Sequence, residues 1–236
     1  MSGHSKWSTI KHKKGANDAK RAQIFSRASK LIILAAQSGG GDPETNYALK
    51  TAIDGARKVN MPKDNIDRAI KSALGGDGAN RIEEVVYEAM GPEGSAFIIL
   101  CATDNTNRSI TEVKTALKKN AGKFVPSGSV SFNFAHVGLI IIKPDDFDTA
   151  ELAAIDAGAI DVKKNEDMLI VTTEVSDFHA IQTALASAGY EIKESLLSYE
   201  PSQIVTLSDG AKTVYETLYE ILDDLDDVQD IFTNVA

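Results

Sequence analysis

The side chains best suited to chemistry are the positive charges near the start of the chain. Residues 1–30 hold eight Lys and Arg residues against a single acid, Asp18. Cations grouped without balancing acids suit the phosphate backbone of a nucleic acid, whereas a solvated helix face usually mixes both signs. The sequence therefore predicts a nucleic-acid-binding surface formed by Lys6, Trp7, Lys11, His12, Lys13, Lys14, Lys20, Arg21, Arg27 and Lys30.

A predicted helix and a lone tryptophan shape this surface. Lys20, Arg27 and Lys30 share one flank of the helix, beside its apolar stripe, and extend the basic segment into a ridge. Trp7 is the only tryptophan. It fits two roles equally well, because it can stack on a base or pack as a hydrophobic staple on the helical region.

The charge of the whole chain argues, at first, against nucleic acid. The net charge is −9 and the pI is about 5.0, whereas nucleic-acid-binding domains are usually basic. The balance is uneven, because residues 1–75 carry +8 and residues 76–236 carry −17. This asymmetry indicates a basic module attached to an acidic body.

A second candidate site is the loop of Asp104, Asn105, Asn107 and Arg108, which joins an apolar strand to a predicted helix. Its Asx residues suit a tight turn. Arg108 is unusual there, because a cation just before a helix start opposes the helix dipole. A nearby phosphate or carboxylate would remove the conflict. The loop therefore fits either a simple turn or a partner contact.

No arrangement of residues resembles a catalytic or metal site. The four histidines lie in separate elements without metal-ligand spacing, and Cys101 lies in the most apolar strand as a small buried hydrophobe. We therefore predict a non-enzymatic protein with no metal and no cofactor. An enzyme would need Asp104 and the acidic run 223–227 to converge on a metal. That run also fits a solvated helix end, or an acidic face that competes with nucleic acid for the basic segment.

Three helices are expected to position the basic residues. Periodicity predicts the first over Asp18–Gln37 and the second from a start signal at residues 42–44, and the third follows Pro62. Gly75–Gly78 is typical of a linker. Short loops between three helices indicate a small helical domain.

The acidic body has an α+β pattern. Ala96–Ala102 predicts a buried strand, the Ser109–Glu112 capping box a helix, and the segments 130–134 and 204–207 two further strands. Residues 137–199 give β-α-β-β-α-β, the ferredoxin-like order, and the flanking segments repeat it. We expect an α+β multidomain fold, with an N-terminal three-helix domain followed by two ferredoxin-like α+β domains, one inserted in the other. The alternative arrangement is two sequential α+β domains followed by an irregular tail. The predicted domains are 1–78, 79–135 plus 200–236, and the inserted 136–199.

A specific set of motifs runs along nearly the whole chain. It comprises Gly3-His4-Ser5-Lys6-Trp7, Tyr87-Glu88, Thr103-Asp104-Asn105, Gly128-Ser129-Val130 and Leu225-Asp226-Asp227-Val228-Gln229. Together these motifs resemble the YebC/PmpR family. Met90 and the loop 121–126 depart from the usual family pattern.

The resemblance implies a function as well as a fold. It implies three domains and a cytoplasmic, non-enzymatic transcriptional regulator that binds DNA. Relatives that include a mitochondrial translational activator act on the ribosome and ease stalling at proline-rich stretches. The alternative is therefore a ribosome-associated translation factor that binds ribosomal RNA, with ribosomal proteins as further partners.

No membrane partner is expected, because the longest apolar run, Ala96–Ala102, is far shorter than the roughly 20 residues of a spanning helix.

Overall fold

The computed structural model describes residues 18–75 and 81–236. These residues divide into two compact units, one that ends at Ser131 and resumes at Ile204, and one that spans Phe132–Gln203. The first unit contains the helical region and a split α+β region, and the second is the inserted α+β region. The predicted fold class is confirmed. The predicted domain limits stay a prediction, because the boundary at residue 78 lies outside the described residues.

Within residues 18–75, the helical region consists of three helices with their own core. Its helices are α1 (Asp18–Gly39), α2 (Tyr47–Lys58) and α3 (Lys63–Leu74), so the expected first and third helices are confirmed. Apolar residues at helical spacing meet between the three helices. The buried core includes Ile32, Ala36, Leu49, Ile53, Ala56, Met61 and Ile66.

The start of α2 differs from the prediction. The helix begins after Asn46, not at residues 42–44, because the Asn46 carboxamide oxygen accepts the backbone N–H of Leu49 at 3.1 Å. The Asn46 amide nitrogen also donates to the carbonyls of Ala35 and Gly40, at 2.8 Å each. One buried side chain thus closes α1 and opens α2. The Asp42 carboxylate accepts the Glu44 N–H within a local turn that precedes the helix.

The α+β regions follow, with a short 3₁₀ turn at Pro92–Gly94 and another at Ser131–Asn133. In chain order their elements are β1 (Glu83–Met90), β2 (Ala96–Thr103), α4 (Thr106–Lys119), β3 (Lys123–Val125), β4 (Phe134–Ile142), α5 (Phe147–Asp156), β5 (Asp161–Asn165), β6 (Met168–Glu174), α6 (Phe178–Ser187), β7 (Ile192–Pro201), α7 (Asp209–Asp223) and β8 (Val228–Thr233).

The split region is an antiparallel sheet in the order β3-β1-β2-β8. Helices α4 and α7 pack on one face, where Phe97, Leu117 and Leu218 are fully buried. Cys101 lies in the same core, as predicted, and burial raises the pKa of its thiol to about 12. Helix α1 contacts the central strand β2, which brings the helical region beside this sheet.

Two strands predicted for this sheet are wrong. Residues 131–133 form a 3₁₀ turn, and the edge strand is instead β3. The reason is Glu88, whose buried carboxylate accepts the backbone N–H groups of Val130 and Ser131 at 2.6 and 3.1 Å. These N–H groups are then not available to a strand ladder. The segment 204–207 forms only an isolated bridge between Val205 and Val235.

The second unit has the predicted ferredoxin-like order. Its antiparallel sheet runs β5-β6-β4-β7, with α5 and α6 over one face and Ile140, Val171 and Ile181 in the core. Strand β4 begins at Phe134, directly after the 3₁₀ turn, and continues to Ile142. The strand expected at 139–142 is therefore part of a longer strand. Over residues 18–75 and 81–236, no helix combines the length and apolarity needed to cross a membrane.

Candidate nucleic-acid interface

The start of α1 presents two of the predicted basic residues to solvent. Lys20 and Arg21 are exposed, and the Arg21 guanidinium lies 5.3 Å from the centre of the Phe25 ring. This contact holds the Arg21 stem against the helix while the side chain remains accessible. The other six predicted residues of the basic segment, Lys6, Trp7, Lys11, His12, Lys13 and Lys14, lie outside the described residues.

The middle of α1 turns its cations to the acidic run of the same unit. Arg27 Nη1 lies 3.2 Å from the Asp223 carboxylate, and the Arg27 guanidinium also donates to the Asp223 carbonyl. Lys30 Nζ lies 2.5 Å from the Asp227 carboxylate and 2.8 Å from the Asp226 carbonyl. The predicted ridge is therefore divided, because Lys20 faces solvent while Arg27 and Lys30 contact carboxylates of the chain itself.

A third side chain extends this contact along α1. Gln23 Nε2 donates to the Asp224 carbonyl at 2.8 Å. Gln23, Arg27 and Lys30 occupy successive turns of the helix, so they line one flank. Side chains from three positions of α1 thus donate hydrogen bonds to carbonyl and carboxylate oxygens of residues 223–227. The acidic run thus contacts the chain's own basic helix. Competition between this acidic face and nucleic acid for the basic segment stays a prediction.

Asp227 is the centre of this contact. Its side chain is only 3% exposed. Besides Lys30, it accepts hydrogen bonds from the Ser109 hydroxyl at 2.6 Å, the Thr103 hydroxyl at 3.1 Å and the Arg108 guanidinium at 2.9 Å. One buried carboxylate therefore connects α1, the end of β2 and the start of α4.

The environment of Asp227 favours its charged form. Burial alone would raise the pKa of this carboxyl. Hydrogen bonds from Lys30, Ser109 and Arg108, and the nearby Lys30 charge, outweigh burial and lower the pKa of Asp227 to about 2. The Arg108 guanidinium donates to Asp227 and to Asp104, and these two hydrogen bonds, the one to Asp227 first, raise the pKa of Arg108 above its ordinary value. The group is thus a charged network around one buried acid.

The candidate loop before α4 belongs to this network. Asn105, not Ser109, caps the helix, because the Asn105 carboxamide oxygen accepts the Arg108 backbone N–H at 3.1 Å. The predicted capping box is therefore wrong, since the Ser109 hydroxyl donates to Asp227. Asn107 lies exposed in the first turn, and its carbonyl accepts the Thr111 hydroxyl.

The carboxylate expected near Arg108 is present. Arg108 lies within the first turn of α4, where its guanidinium contacts Asp104 at 2.8 Å and Asp227 at 2.9 Å. Asp104 and the acidic run do converge, but on a guanidinium. Across the described parts of the chain, no group of three His, Cys, Asp or Glu side chains is placed to hold a metal ion.

A second buried carboxylate anchors the loop that carries Gly128-Ser129-Val130. Glu88 is 3% exposed. It accepts three backbone N–H groups, from Gly128 at 2.6 Å, Val130 at 2.6 Å and Ser131 at 3.1 Å. Burial opposes the charge, but these bonds outweigh it and lower the pKa of Glu88. The sequence motifs around residues 88 and 128 are therefore one structural feature, a loop fixed by a buried acid.

Comparison with known proteins identifies the family. Residues 5–76 match the description TACO1/YebC protein N-terminal domain, and residues 82–235 match TACO1/YebC second and third domain. The chain belongs to the TACO1/YebC family. The expected resemblance is thereby confirmed. Of the motifs that carried it, Thr103-Asp104-Asn105 and Leu225–Gln229 meet at Asp227, and Tyr87-Glu88 meets Gly128-Ser129-Val130 at Glu88. The motif Gly3–Trp7 lies outside the described residues.

Members of this family with similar sequences span the whole chain. A probable transcriptional regulatory protein of Finegoldia magna is 44% identical, over 99% of this chain and 98% of its own. One from Bacillus licheniformis is 41% identical over the full length of both. A crystal structure of a conserved hypothetical protein from Aquifex aeolicus is 36% identical, with a TM-score of 0.84 over 98% of this chain and 96% of its own.

Sequence reasoning missed the two residues that organise the site. Asp227 was part of the acidic run, and Glu88 was part of a motif, but neither had a predicted role. The conflict between Arg108 and the helix dipole pointed to a carboxylate without identifying it. For Glu88, the signal was an acid in an otherwise apolar strand segment, since a carboxylate there needs donors.

Proposed function

We propose that the chain is a non-enzymatic regulatory protein that binds nucleic acid through its basic N-terminal region, in the first place as a DNA-binding transcriptional regulator. The observation that carries the proposal is the net charge of residues 1–75, which carry +8 in a chain of net charge −9. The names of the relatives, probable transcriptional regulatory proteins, support the regulatory role.

The proposed contacts are to phosphate. Lys20 and Arg21 are exposed at the start of α1, and in the sequence they follow the segment that holds Lys6, Lys11, Lys13 and Lys14. Trp7 and His12 lie among these cations and add stacking or hydrogen bonds. Phosphate contacts give affinity without reading sequence. Arg27 and Lys30 contribute indirectly, because their ion pairs with Asp223 and Asp227 fix the direction of α1.

A second candidate is a ribosome-associated translation factor that holds ribosomal RNA with the same cations. One observation favours it. Asp224 and Asp226 are exposed beside α1, so a long straight duplex that follows the helix would bring its phosphates close to carboxylates. A folded RNA surface with proteins can avoid these acids, and the acidic α+β regions would then face ribosomal proteins.

Charge removal at two places tests the interface. We expect Lys20→Ala with Arg21→Ala to weaken binding to a labelled DNA duplex in fluorescence anisotropy and to flatten the salt dependence by roughly 2 units of slope. The matched control is Lys143→Ala with Lys193→Ala, which removes the same charge from the second unit. Equal effects of the two pairs would refute a local interface, since only the net charge would then matter.

Ribosome co-sedimentation separates the two candidates. A translation factor should sediment with ribosomes at low salt and lose this association when Lys20 and Arg21 are replaced. A transcriptional regulator should remain in the supernatant under the same conditions. Absence from the ribosomal fraction at low salt would count against the second candidate.

A further inference from the structure

The helical layer of the second unit carries large apolar side chains on its solvent side. Ala150 and Ala154 of α5 are fully buried against the sheet. At 100° per residue, Leu152 and Ile155 lie on the other side of the helix. Leu152 is 63% exposed and Ile155 is 52% exposed, and Ile160 in the following turn is also 52% exposed. The outer face of α5 is therefore a small apolar patch.

The neighbouring helix extends this weakly polar surface. Helix α6 contains no Asp, Glu, Lys or Arg, and it contacts α5 in the same layer. Its exposed positions include Ala180, Thr183 and Ala184. A solvent-facing helix usually carries charged residues opposite its core. Two adjacent helices thus leave an outer face on which most side chains are apolar or small.

The charges at the edge of this face have one sign. Residues 144–160 contain five acids and no Lys or Arg. Asp148, Glu151 and Asp156 belong to α5 itself. The cations that flank this segment in the sequence are engaged, since Lys143 lies 2.7 Å from Asp167, Lys163 lies 2.8 Å from Asp161, and Lys164 lies 3.8 Å from the centre of the Phe147 ring. The patch therefore has an acidic rim.

We propose that the face formed by Leu152, Ile155 and Ile160, with the adjoining surface of α6, binds a basic amphipathic segment of another protein. The apolar patch would receive the apolar side of such a segment, and the acidic rim would pair with its Lys and Arg residues. Like-charge repulsion disfavours nucleic acid, an anionic membrane and a second copy of this face. The surface is small, so the interaction belongs to the weak, transient class.

A pair of designed peptides tests the chemistry of the partner. The probes are fluorescein-labelled helical peptides of about 18 residues, each with a Leu stripe and with either Lys or Glu on the other face. We expect the Lys peptide to bind the full chain with a Kd on the order of 10 μM at low salt, and the Glu peptide to bind at least tenfold more weakly. Equal binding of both peptides, or binding of neither, would overturn the proposal.

Variants of the chain test the location. Leu152→Gln with Ile155→Gln removes the patch without changing charge, and we expect it to weaken binding of the Lys peptide about tenfold. The matched control, Val214→Gln, changes a half-exposed residue of α7 in the other unit and should bind as the wild type does. If the double variant bound equally well, general attraction to an acidic protein would explain the signal, and the proposed face would be wrong.

Two further readouts identify other occupants of the face. The double variant changes only exposed residues, so its far-UV circular dichroism and its DNA affinity should equal those of the wild type. A loss of DNA affinity would assign the face to nucleic acid and overturn the proposal. Self-association of the wild type that disappears in the double variant would assign the face to a second copy, with the same consequence.

Discussion

Replacement of Asp227 by Asn removes the charge at the centre of the contact between α1 and the α+β sheet while keeping its shape. The pKa of Asp227 is about 2 in the folded chain against an ordinary value of 3.8. Because one pKa unit corresponds to about 1.4 kcal/mol, the ionised carboxylate contributes on the order of 2 kcal/mol to the free energy of unfolding at neutral pH. Its side chain is 3% exposed, so solvent screens little of this contribution.

The sign of the pH dependence follows from linkage. A group whose pKa is lowered by folding stabilises the fold above its unfolded pKa, and this stabilisation is lost as pH falls through the folded pKa. The stability difference between the wild type and Asp227→Asn should therefore contain a pH-dependent part on the order of 2 kcal/mol, which is fully present at pH 7 and falls to roughly half near pH 3. Other carboxyl groups titrate in both proteins and largely cancel in the difference.

Urea unfolding followed by far-UV circular dichroism measures this difference at each pH. The control is Asp226→Asn, an exposed acid of the same run, which should change the free energy of unfolding by less than about 0.5 kcal/mol. A difference for Asp227→Asn below about 0.5 kcal/mol at pH 7 would refute the reasoning. So would a larger difference that stays constant from pH 7 to pH 3.

Other variants test separate parts of the structure by the same unfolding assay. Glu88→Gln should destabilise the fold by about 1–3 kcal/mol, because an amide group would replace one acceptor oxygen opposite three N–H donors; a neutral effect would argue against the anchored loop. Gly138→Ala should cost about 1–3 kcal/mol, since its Cβ would lie 2.3 Å from a Phe178 ring carbon. Gly55→Ala is its counterpart within α2, where an added Cβ would meet no atom within 4 Å beyond the neighbouring residues and backbone of the helix itself, and it should stabilise by roughly 0.5–1 kcal/mol. A Gly138→Ala variant that is not destabilised, or a Gly55→Ala variant that is destabilised, would contradict the packing described above.

The sequence was sufficient where local rules decide the outcome. The periodicity of α1 and α3 and the ferredoxin-like order of the second unit depend on apolar spacing within short windows, and both were predicted. The chemistry of Cys101 was also predictable, because an apolar strand buries a small thiol.

Predictions failed where a distant residue decides between two local options. Asn105 and Ser109 can each cap a helix, and only the approach of Asp227 takes the Ser109 hydroxyl away from that role. The alternation at 130–134 suits a strand, yet Glu88 takes its N–H groups. For the candidate interface, helix spacing was enough to place Arg27 and Lys30 on the same flank as Lys20. It could not show that the acidic run, which follows 196 or more residues later in the sequence, contacts Arg27 and Lys30.

The salt dependence of nucleic-acid affinity tests the central claim most directly. If about six cations of the basic region contact phosphates, the logarithm of the affinity for a DNA duplex should fall against the logarithm of salt concentration with a slope near −5. Lys11→Ala, Lys13→Ala and Lys14→Ala together should weaken binding and reduce this slope by roughly 3, with an unchanged circular dichroism spectrum. An affinity that does not depend on salt, or a triple variant that binds as the wild type does, would contradict the account.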